Sequence, residues 1–473
     1  GSRGSWVATI RPGVRSRCRL AAAFLALATA LGAAGLLTSP TSARATTVTS
    51  AKPREFWVAT FVERPDLRAA VREPNWNRRG HLTVSALQRA YRTAAARPVV
   101  LRALRTRGIT ATPLWVSNAV LFHAPKSVAD QIARIDGVTE VVGGRELDLG
   151  AEVAAAASAP QAAPTAMPAN LVEVGVPGAR AAGVTGHGAV VGIVDTGVDA
   201  QHPDLAGNFR RRGGWFDPTG RCPDAPCDDD GHGTAVAGLA VGRTTGVAPG
   251  AQWIAARGCT AEQCTLELVL QSLQFMLAPD AGRGADPDLR PDVINNSWSI
   301  KEPSTSLGRA MTALHAAGIL DVFAAGNSGP ACRSVGFPAS QPEVVAVGAT
   351  DADGQIARFS ARGPGPLGPE PSLVAPGLDV LTTAIGGGYT RASGTSMAAP
   401  EVTGAYALVL ETAPQERGSE ALFSTVVNSA ARRPAASCRT RGVPNSDYGY
   451  GALNAAAAVA DARGLVDLPA TKP

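Results

Sequence analysis

Several things are scarce or missing in this 473-residue sequence. After residue 37 no run is long and apolar enough to cross a membrane, which excludes a bundle of membrane-spanning helices there. Charged side chains make up only 18% against 45% hydrophobic ones, so a disordered polyelectrolyte is excluded as well. No segment recurs at a fixed period, which removes solenoids and propellers. The cysteines and the six histidines lack the spacing of a zinc site. Lysine is rare: Lys52, Lys126, Lys301 and Lys472 stand among 44 basic residues. That arginine bias reflects a GC-rich coding genome rather than a binding function.

What the sequence does have is a charge asymmetry. The net charge of +5 averages two opposed parts. Residues 1–150 carry 22 basic and 9 acidic side chains, whereas residues 151–473 carry 22 and 30. A uniformly basic nucleic-acid binder is therefore a poor reading. The first part opens with Arg3, Arg11, Arg15, Arg17 and Arg19, followed by an apolar stretch over 20–37 broken only by Thr29. Ala43-Arg44-Ala45 supplies a small-residue cleavage pattern, so residues 1–45 are expected to be a signal peptide. The alternative is a retained anchor, but the stretch is rich in weakly hydrophobic Ala and Gly. No Arg-Arg pair precedes it, which favours ordinary over twin-arginine export. The expected location is secreted, with the membrane involved only through this segment.

Cysteine usage agrees with export. Setting Cys18 aside leaves Cys222, Cys227, Cys259, Cys264, Cys332 and Cys438, an even number. In an exported chain these read as disulfides. The favoured pairing is Cys222 with Cys227, Cys259 with Cys264, and Cys332 with Cys438.

Alternation patterns divide the chain. Residues 52–148 read as a small α+β unit, with strands at 56–62, 111–116, 119–122 and 138–142 and helices at 84–104 and 127–135. Pro98 is expected to end or kink the first helix. The order β-α-β-β-α-β is ferredoxin-like. An Ala/Pro-rich linker follows over 149–169. From residue 170 to 463 buried-strand runs (189–194, 293–294, 320–325, 344–347, 373–375) alternate with helices (266–276, 307–317, 402–410), which predicts an α/β fold with a mostly parallel sheet. Residues 464–473 read as a tail. Functional side chains in such a sheet collect at the carboxyl ends of its strands.

Three motifs carry chemistry. Asp195 ends the first buried strand in VDTGVD, His232 lies in DDDGHGTAVAG, and Ser396 opens a helix in SGTSMAAP. A serine hydroxyl is a weak nucleophile until an imidazole takes its proton, and a carboxylate fixes the imidazole tautomer. No G-x-S-x-G surrounds Ser396, which argues against an α/β-hydrolase. Taken singly, each motif could be a strand-end turn, a solvated loop or a helix cap. Their coincidence is what carries the reading.

In this order the motifs resemble the subtilisin-like serine proteases, over about residues 170–460, and INNSWS at 294–299 looks closest to the bacillopeptidase F branch. The resemblance implies a three-layer subtilisin-like fold and a serine endopeptidase with Asp195, His232 and Ser396 as catalytic residues. It also implies that Asn327, in AAGNSGP, is the oxyanion-hole donor together with the Ser396 N–H. Ser297, Trp298 and Ser299 match the edge that pairs with an extended peptide. Ala324, Ala325, Gly326, Val335 and Gly336 match the S1 pocket. Those two pocket stretches hold no acidic residue, so large apolar or broadly tolerated P1 residues are expected. Ser299 departs from the usual Gly and is expected to narrow the cleft, and Ala235 stands where many members have a second His.

Subtilisins often bind calcium through a residue in the position of Asp204 and a loop inserted after the catalytic His. Here residues 240–246 are short and hold no carboxylate, so no cofactor is required and no metal site is identified. Calcium elsewhere stays open, with Asp228, Asp229 and Asp230 as a conceivable cation loop or a solvated acidic one. The unit at 52–148 resembles a subtilase propeptide, which implies self-processing between residues 142 and 170 and inhibition by the chain's own propeptide. The expected partners are protein and peptide substrates, with a monomeric enzyme. The competing reading is a catalytically silent binding module at the cell surface.

Overall fold

The computed structural model describes residues 55–143, 146–147, 161–261, 264–300, 303–365, 371–438 and 442–467. The expected signal peptide, residues 149–160 of the expected linker and residues 468–473 of the expected tail lie outside the described residues. No helix among the described residues is long and apolar enough to cross a membrane.

The amino-terminal region runs β1 (Glu55–Phe61), α1 (Arg68–Val71), α2 (Trp76–Thr93), α3 (Arg97–Arg105), β2 (Ala111–Leu114), β3 (Ala119–Ala124), α4 (Lys126–Ile132), β4 (Val138–Gly143) and β5 (Glu146–Leu147). Its four-stranded sheet has the order β2-β3-β1-β4 with antiparallel neighbours throughout. The single helix expected over 84–104 is two helices. The first starts earlier because Asn75 caps it, its side chain accepting the Arg78 N–H at 3.0 Å. The break falls at Ala94, whose backbone turns extended, and Pro98 sits in the first turn of α3, where its missing N–H costs nothing. Alternation along β3 sends Val120 and Phe122 into a core with Phe61, Tyr91, Val100 and Leu104. Leu121 points the other way, into a second core shared with the rest of the chain. The sheet is therefore buried on both faces, which is why β3 reads as an almost unbroken apolar run.

The larger region continues with α5 (Ala169–Glu173), α6 (Val176–Ala181), β6 (Val190–Asp195), β7 (Trp215–Phe216), α7 (His232–Val241), β8 (Gln252–Arg257), β9 (Cys264–Thr265), α8 (Leu266–Leu277), β10 (Val293–Asn296), α9 (Thr305–Ala316), β11 (Leu320–Ala324), β12 (Val344–Thr350), β13 (Leu373–Pro376), β14 (Val380–Ala384), β15 (Gly388–Ala392), α10 (Thr395–Thr412), α11 (Glu420–Asn428) and α12 (Ala455–Asp467). Seven strands form one parallel sheet in the order β13-β12-β11-β10-β6-β8-β7. Val191 and Ile193 of β6 face the core that holds α7 and α10, and Val194 faces the core that holds α8 and α9. Helices thus cover both faces of the sheet, the three-layer α/β arrangement expected of this pattern. β8 escapes the sequence reading because QWIAAR starts and ends polar and its centre is mostly alanine. The last helix runs on to Asp467, past the expected boundary at 463.

Helices α8 and α9, which cover the parallel sheet, also receive the amino-terminal sheet through Val58, Leu121 and Val142. At its end β5 pairs antiparallel with β9, Glu146 opposite Thr265 and Leu147 opposite Cys264. Farther on, Gln161 exchanges two backbone hydrogen bonds with Tyr389 of β15, so the end of the expected linker is docked on the larger region. Disulfides join Cys222 to Cys227, Cys259 to Cys264 and Cys332 to Cys438.

Candidate active site

Three element ends meet at the carboxyl edge of the parallel sheet. Asp195 closes β6, His232 opens α7 and Ser396 lies in the first turn of α10, with α7 and α10 packed against each other. Asp195 is 1% exposed and His232 5%. Asp195 Oδ1 stands 2.7 Å from His232 Nδ1 and also accepts the Thr196 N–H at 2.8 Å. The Asp195 carbonyl accepts the N–H groups of Gly258 and Cys259, so the strand end is fixed on its backbone side as well. A carboxylate held this way sets which imidazole nitrogen carries the proton and leaves Nε2 for chemistry.

The acidic run before His232 is a scaffold. Asp228 accepts from Thr196 Oγ1, the Asp230 and Gly231 N–H groups, and both the N–H and hydroxyl of Thr234. It thereby caps the start of α7. Asp229 pairs with the buried Arg257, which also donates to the Cys227 carbonyl. Asp230 accepts the His232 N–H at 3.1 Å. Burial raises its carboxyl above the ordinary range, with Asp228 and Asp195 adding repulsion against the pull of His232. Asp204 is equally committed: it accepts the Thr244 N–H and hydroxyl, each at 2.9 Å, with the Arg243 guanidinium 3.7 Å away. A cation beside that guanidinium would be repelled, so the residues at Asp204 do not fit calcium. Among the described residues no group of three or more His, Cys, Asp or Glu side chains is arranged to hold a metal ion.

Ser396 is positioned by the helix it opens. Pro400, four residues on, has no N–H to give the Ser396 carbonyl. That carbonyl instead accepts the Ser297 hydroxyl at 2.8 Å. Ser297 Oγ in turn accepts Asn295 Nδ2 at 2.9 Å, and Asn295 Oδ1 accepts the Thr403 hydroxyl at 3.1 Å, all of them buried. Beside Ser396, Asn327 Oδ1 accepts both the N–H and the hydroxyl of Thr395, each at 2.9 Å. This fixes the amide with Nδ2 turned the other way. A Cβ placed on Gly394 would sit 2.7 Å from Ser396 Oγ, 3.3 Å from Asn327 Nδ2 and 3.6 Å from the Ser396 nitrogen. The missing side chain of Gly394 therefore leaves open a space faced by one hydroxyl and two N–H donors. The amino end of α10 adds its positive dipole there.

The expected substrate-binding residues fall into two groups. Gly336 N–H donates to the Ala325 carbonyl at 3.0 Å, and a Cβ on Gly336 would lie 3.1 Å from Ser299 Cβ, so Ala325, Gly336 and Ser299 stand close together. Ala324 and Gly326 flank Ala325, with Gly326 N–H held by the Thr395 hydroxyl. The Trp298 side chain turns inward instead: it is 1% exposed, donates to the Val194 carbonyl at 3.1 Å and meets Phe323 edge-on. Only its backbone is available at the edge. Thr395, Gly394 and the Asn295–Thr403 pair escaped the sequence reading. The one available signal was Pro400 inside an otherwise helical stretch.

Comparison with known proteins fits this geometry. The sequence pattern described as the Subtilase family matches residues 186–451. Bacillopeptidase F of Bacillus subtilis (strain 168) is 32% identical over 376 residues, 73% of this chain and 26% of that protein. Subtilisin-like protease PopC of Myxococcus xanthus (strain DK1622) is 34% identical over 291 residues, 55% of this chain and 59% of that protein. Subtilisin DY of Bacillus licheniformis is 36% identical over 260 residues, 53% of this chain and 87% of that protein. The chain thus spans about a quarter of bacillopeptidase F and under two thirds of PopC. With the family pattern covering more than half of its length, this chain belongs to the subtilase family.

Proposed function

We propose that the chain is a secreted, self-processing serine endopeptidase that cuts peptide bonds in proteins. Ser396 Oγ attacks the carbonyl carbon while His232 Nε2 takes its proton, and Asp195 holds the imidazole and stabilises its cationic form. Negative charge gathers on the former carbonyl oxygen as it enters the space beside Gly394. Asn327 Nδ2 and the Ser396 N–H donate to it there. His232 then returns the proton to the leaving amine, and water repeats the sequence on the acyl-enzyme. No step needs a metal or other cofactor. The observation that carries this reading is the 2.7 Å His232–Asp195 contact at the start of a helix that packs against the one Ser396 opens.

Residues 52–148 act as the propeptide, assisting folding and covering the cleft until cut away between residues 142 and 170. The pairing of β5 with β9, next to the Cys259 N–H bound to Asp195, supports this role. Export rests on the sequence at 1–45 and is supported by the disulfides. Small walls at Ala325 and Gly336 support large apolar P1 residues, and the working enzyme is a monomer.

Purified Ser396→Ala should accumulate as uncut precursor, hydrolyse no casein and take no fluorophosphonate label, whereas the wild type is labelled stoichiometrically. A Ser396→Ala protein that matures and digests casein normally would sink the assignment. A wild-type protein that takes no label would favour a silent binding module instead.

A further inference from the structure

The amino-terminal region touches the larger region at a second place, through the first turn of α2. The Trp76 ring rests on two glycines: Cβ atoms on Gly318 and Gly418 would lie 3.2 and 3.3 Å from the indole. The Arg290 guanidinium stacks over the ring 3.6 Å from its centroid, and Arg417 lies at 5.7 Å. Arg290 is 2% exposed and is held by carbonyls, with Nη1 donating to Pro287 at 2.7 Å, Nε to Ala317 at 3.2 Å and Nη2 to Trp76 itself. One turn along α2, Arg79 donates to the carbonyls of Ala316 at 2.8 Å, His315 at 2.9 Å and Gly418 at 2.6 Å. The first two are at the carboxyl end of α9, where acceptors lack helical partners and the dipole favours a cation. Gly80 lets the surfaces meet, since a Cβ there would overlap the Arg290 guanidinium.

Two features give this contact a role of its own. First, it lies at the wrong end of the sheet to block the cleft. Arg290 precedes β10 and Gly318 precedes β11, at their amino ends, whereas Ser297 and Asn327 follow the carboxyl ends of those strands. Second, Trp76 is not part of the amino-terminal region's own core, which is built from residues such as Phe61, Tyr91, Val100 and Phe122. The indole therefore serves docking more than folding. On the other side, withdrawal of Trp76 would take from a buried guanidinium both an acceptor and a ring, which is costly.

We propose that this socket, formed by Arg290, Gly318, Gly418 and the end of α9, is a remote anchor that recognises a Trp-x-x-Arg helix start and keeps the cut propeptide bound, so that its release sets when activity appears. The proposal rests on the self-processing reading above. It separates two events that one cleft contact would merge. Cutting depends on Ser396, and letting go depends on Trp76 and Arg79.

The test uses the full chain as wild type, Trp76→Ala and Gly80→Ala. Gly80→Ala leaves every propeptide core side chain in place and raises helix propensity, so it guards against a Trp76→Ala protein that merely folds poorly. Self-cleavage is followed by intact mass, retention of the cut piece by gel filtration, and the lag before peptide hydrolysis by fluorescence. Both variants should cut themselves at the wild-type position, lose the cut piece on the column and shorten the lag by about tenfold or more, with unchanged final activity. Normal cutting with wild-type retention and lag in both variants overturns the anchor alone. A wild type that never cuts itself overturns the self-processing reading, and the anchor with it.

Discussion

Gly394→Ala tests the proposed chemistry at the point where geometry leaves least room. Gly394 has φ +152° and ψ +161°, a conformation almost confined to glycine. Forcing alanine into it costs about 1–3 kcal/mol of stability, or very roughly 2–10 °C in melting temperature for a domain of this size. The larger effect is on turnover. The new methyl carbon would lie 2.7 Å from Ser396 Oγ and 3.3 Å from Asn327 Nδ2, inside the space assigned to the developing oxyanion. Loss of one oxyanion donor costs subtilisin about 10²–10³ in turnover. Here the methyl obstructs two donors and crowds the nucleophile, so kcat should fall by at least about 10³, or roughly 4 kcal/mol of barrier. KM should change much less, because the ground-state carbonyl oxygen does not need that space. The assay is steady-state hydrolysis of a fluorogenic peptide with Phe at P1, on protein matured in trans, since under the proposed mechanism the variant does not cut itself. A melting curve alongside it confirms folding. A folded Gly394→Ala enzyme with kcat within about threefold of wild type would refute the assignment of the space beside Gly394 to the oxyanion.

Two further predictions concern groups away from the reacting atoms. Glu401 is buried on α10 and accepts Asn170 Nδ2 at 2.6 Å; burial pushes its carboxyl well above the ordinary range, only partly opposed by that hydrogen bond. The native state therefore keeps a proton that the unfolded chain releases, so this contribution is full below the ordinary carboxyl pKa and is lost as pH rises through the folded-state value. Glu401→Gln keeps the acceptor for Asn170 and should remove a stability slope of up to about 1.4 kcal/mol per pH unit, read from urea melts across that window; an unchanged slope would count against a protonated Glu401. The Cys332–Cys438 disulfide spans 106 residues and ties the segment leading to Gly336 to the loop at Asp447, with Arg333 and Ser334 bonded to the 362–363 backbone. Replacing both cysteines by serine should cost about 3–5 kcal/mol in urea melts, and should raise KM for the Phe-P1 peptide more than it lowers kcat. Lost stability with unchanged KM would show that the disulfide does not shape the pocket.

Much was legible in the sequence because the relevant physics is local. A parallel strand buried on both faces must be apolar throughout, so VVGIV at β6 and VVAV at β12 announced the sheet. Asp195, His232 and Ser396 each sit at an element end marked by glycine and small residues, so three short local motifs, read together, pointed to them. Local patterns failed where a partner far along the chain decides. Nothing near Trp298 says that its ring turns into the core to meet Phe323, or that Ala94 rather than Pro98 breaks the helix expected over 84–104.

The sequence by itself determined the α/β class, the division into two oppositely charged regions, and which Asp, His and Ser to consider, because composition, periodicity and short motifs are properties of neighbours in the chain. Tertiary structure alone decided what those residues face. It gave the Ser396 carbonyl to Ser297, left open the space beside Gly394, and set Trp76 between two glycines and Arg290. Such contacts join residues up to a few hundred positions apart, and a folded backbone has to bring them within a few ångströms before any hydrogen bond or clash between them exists.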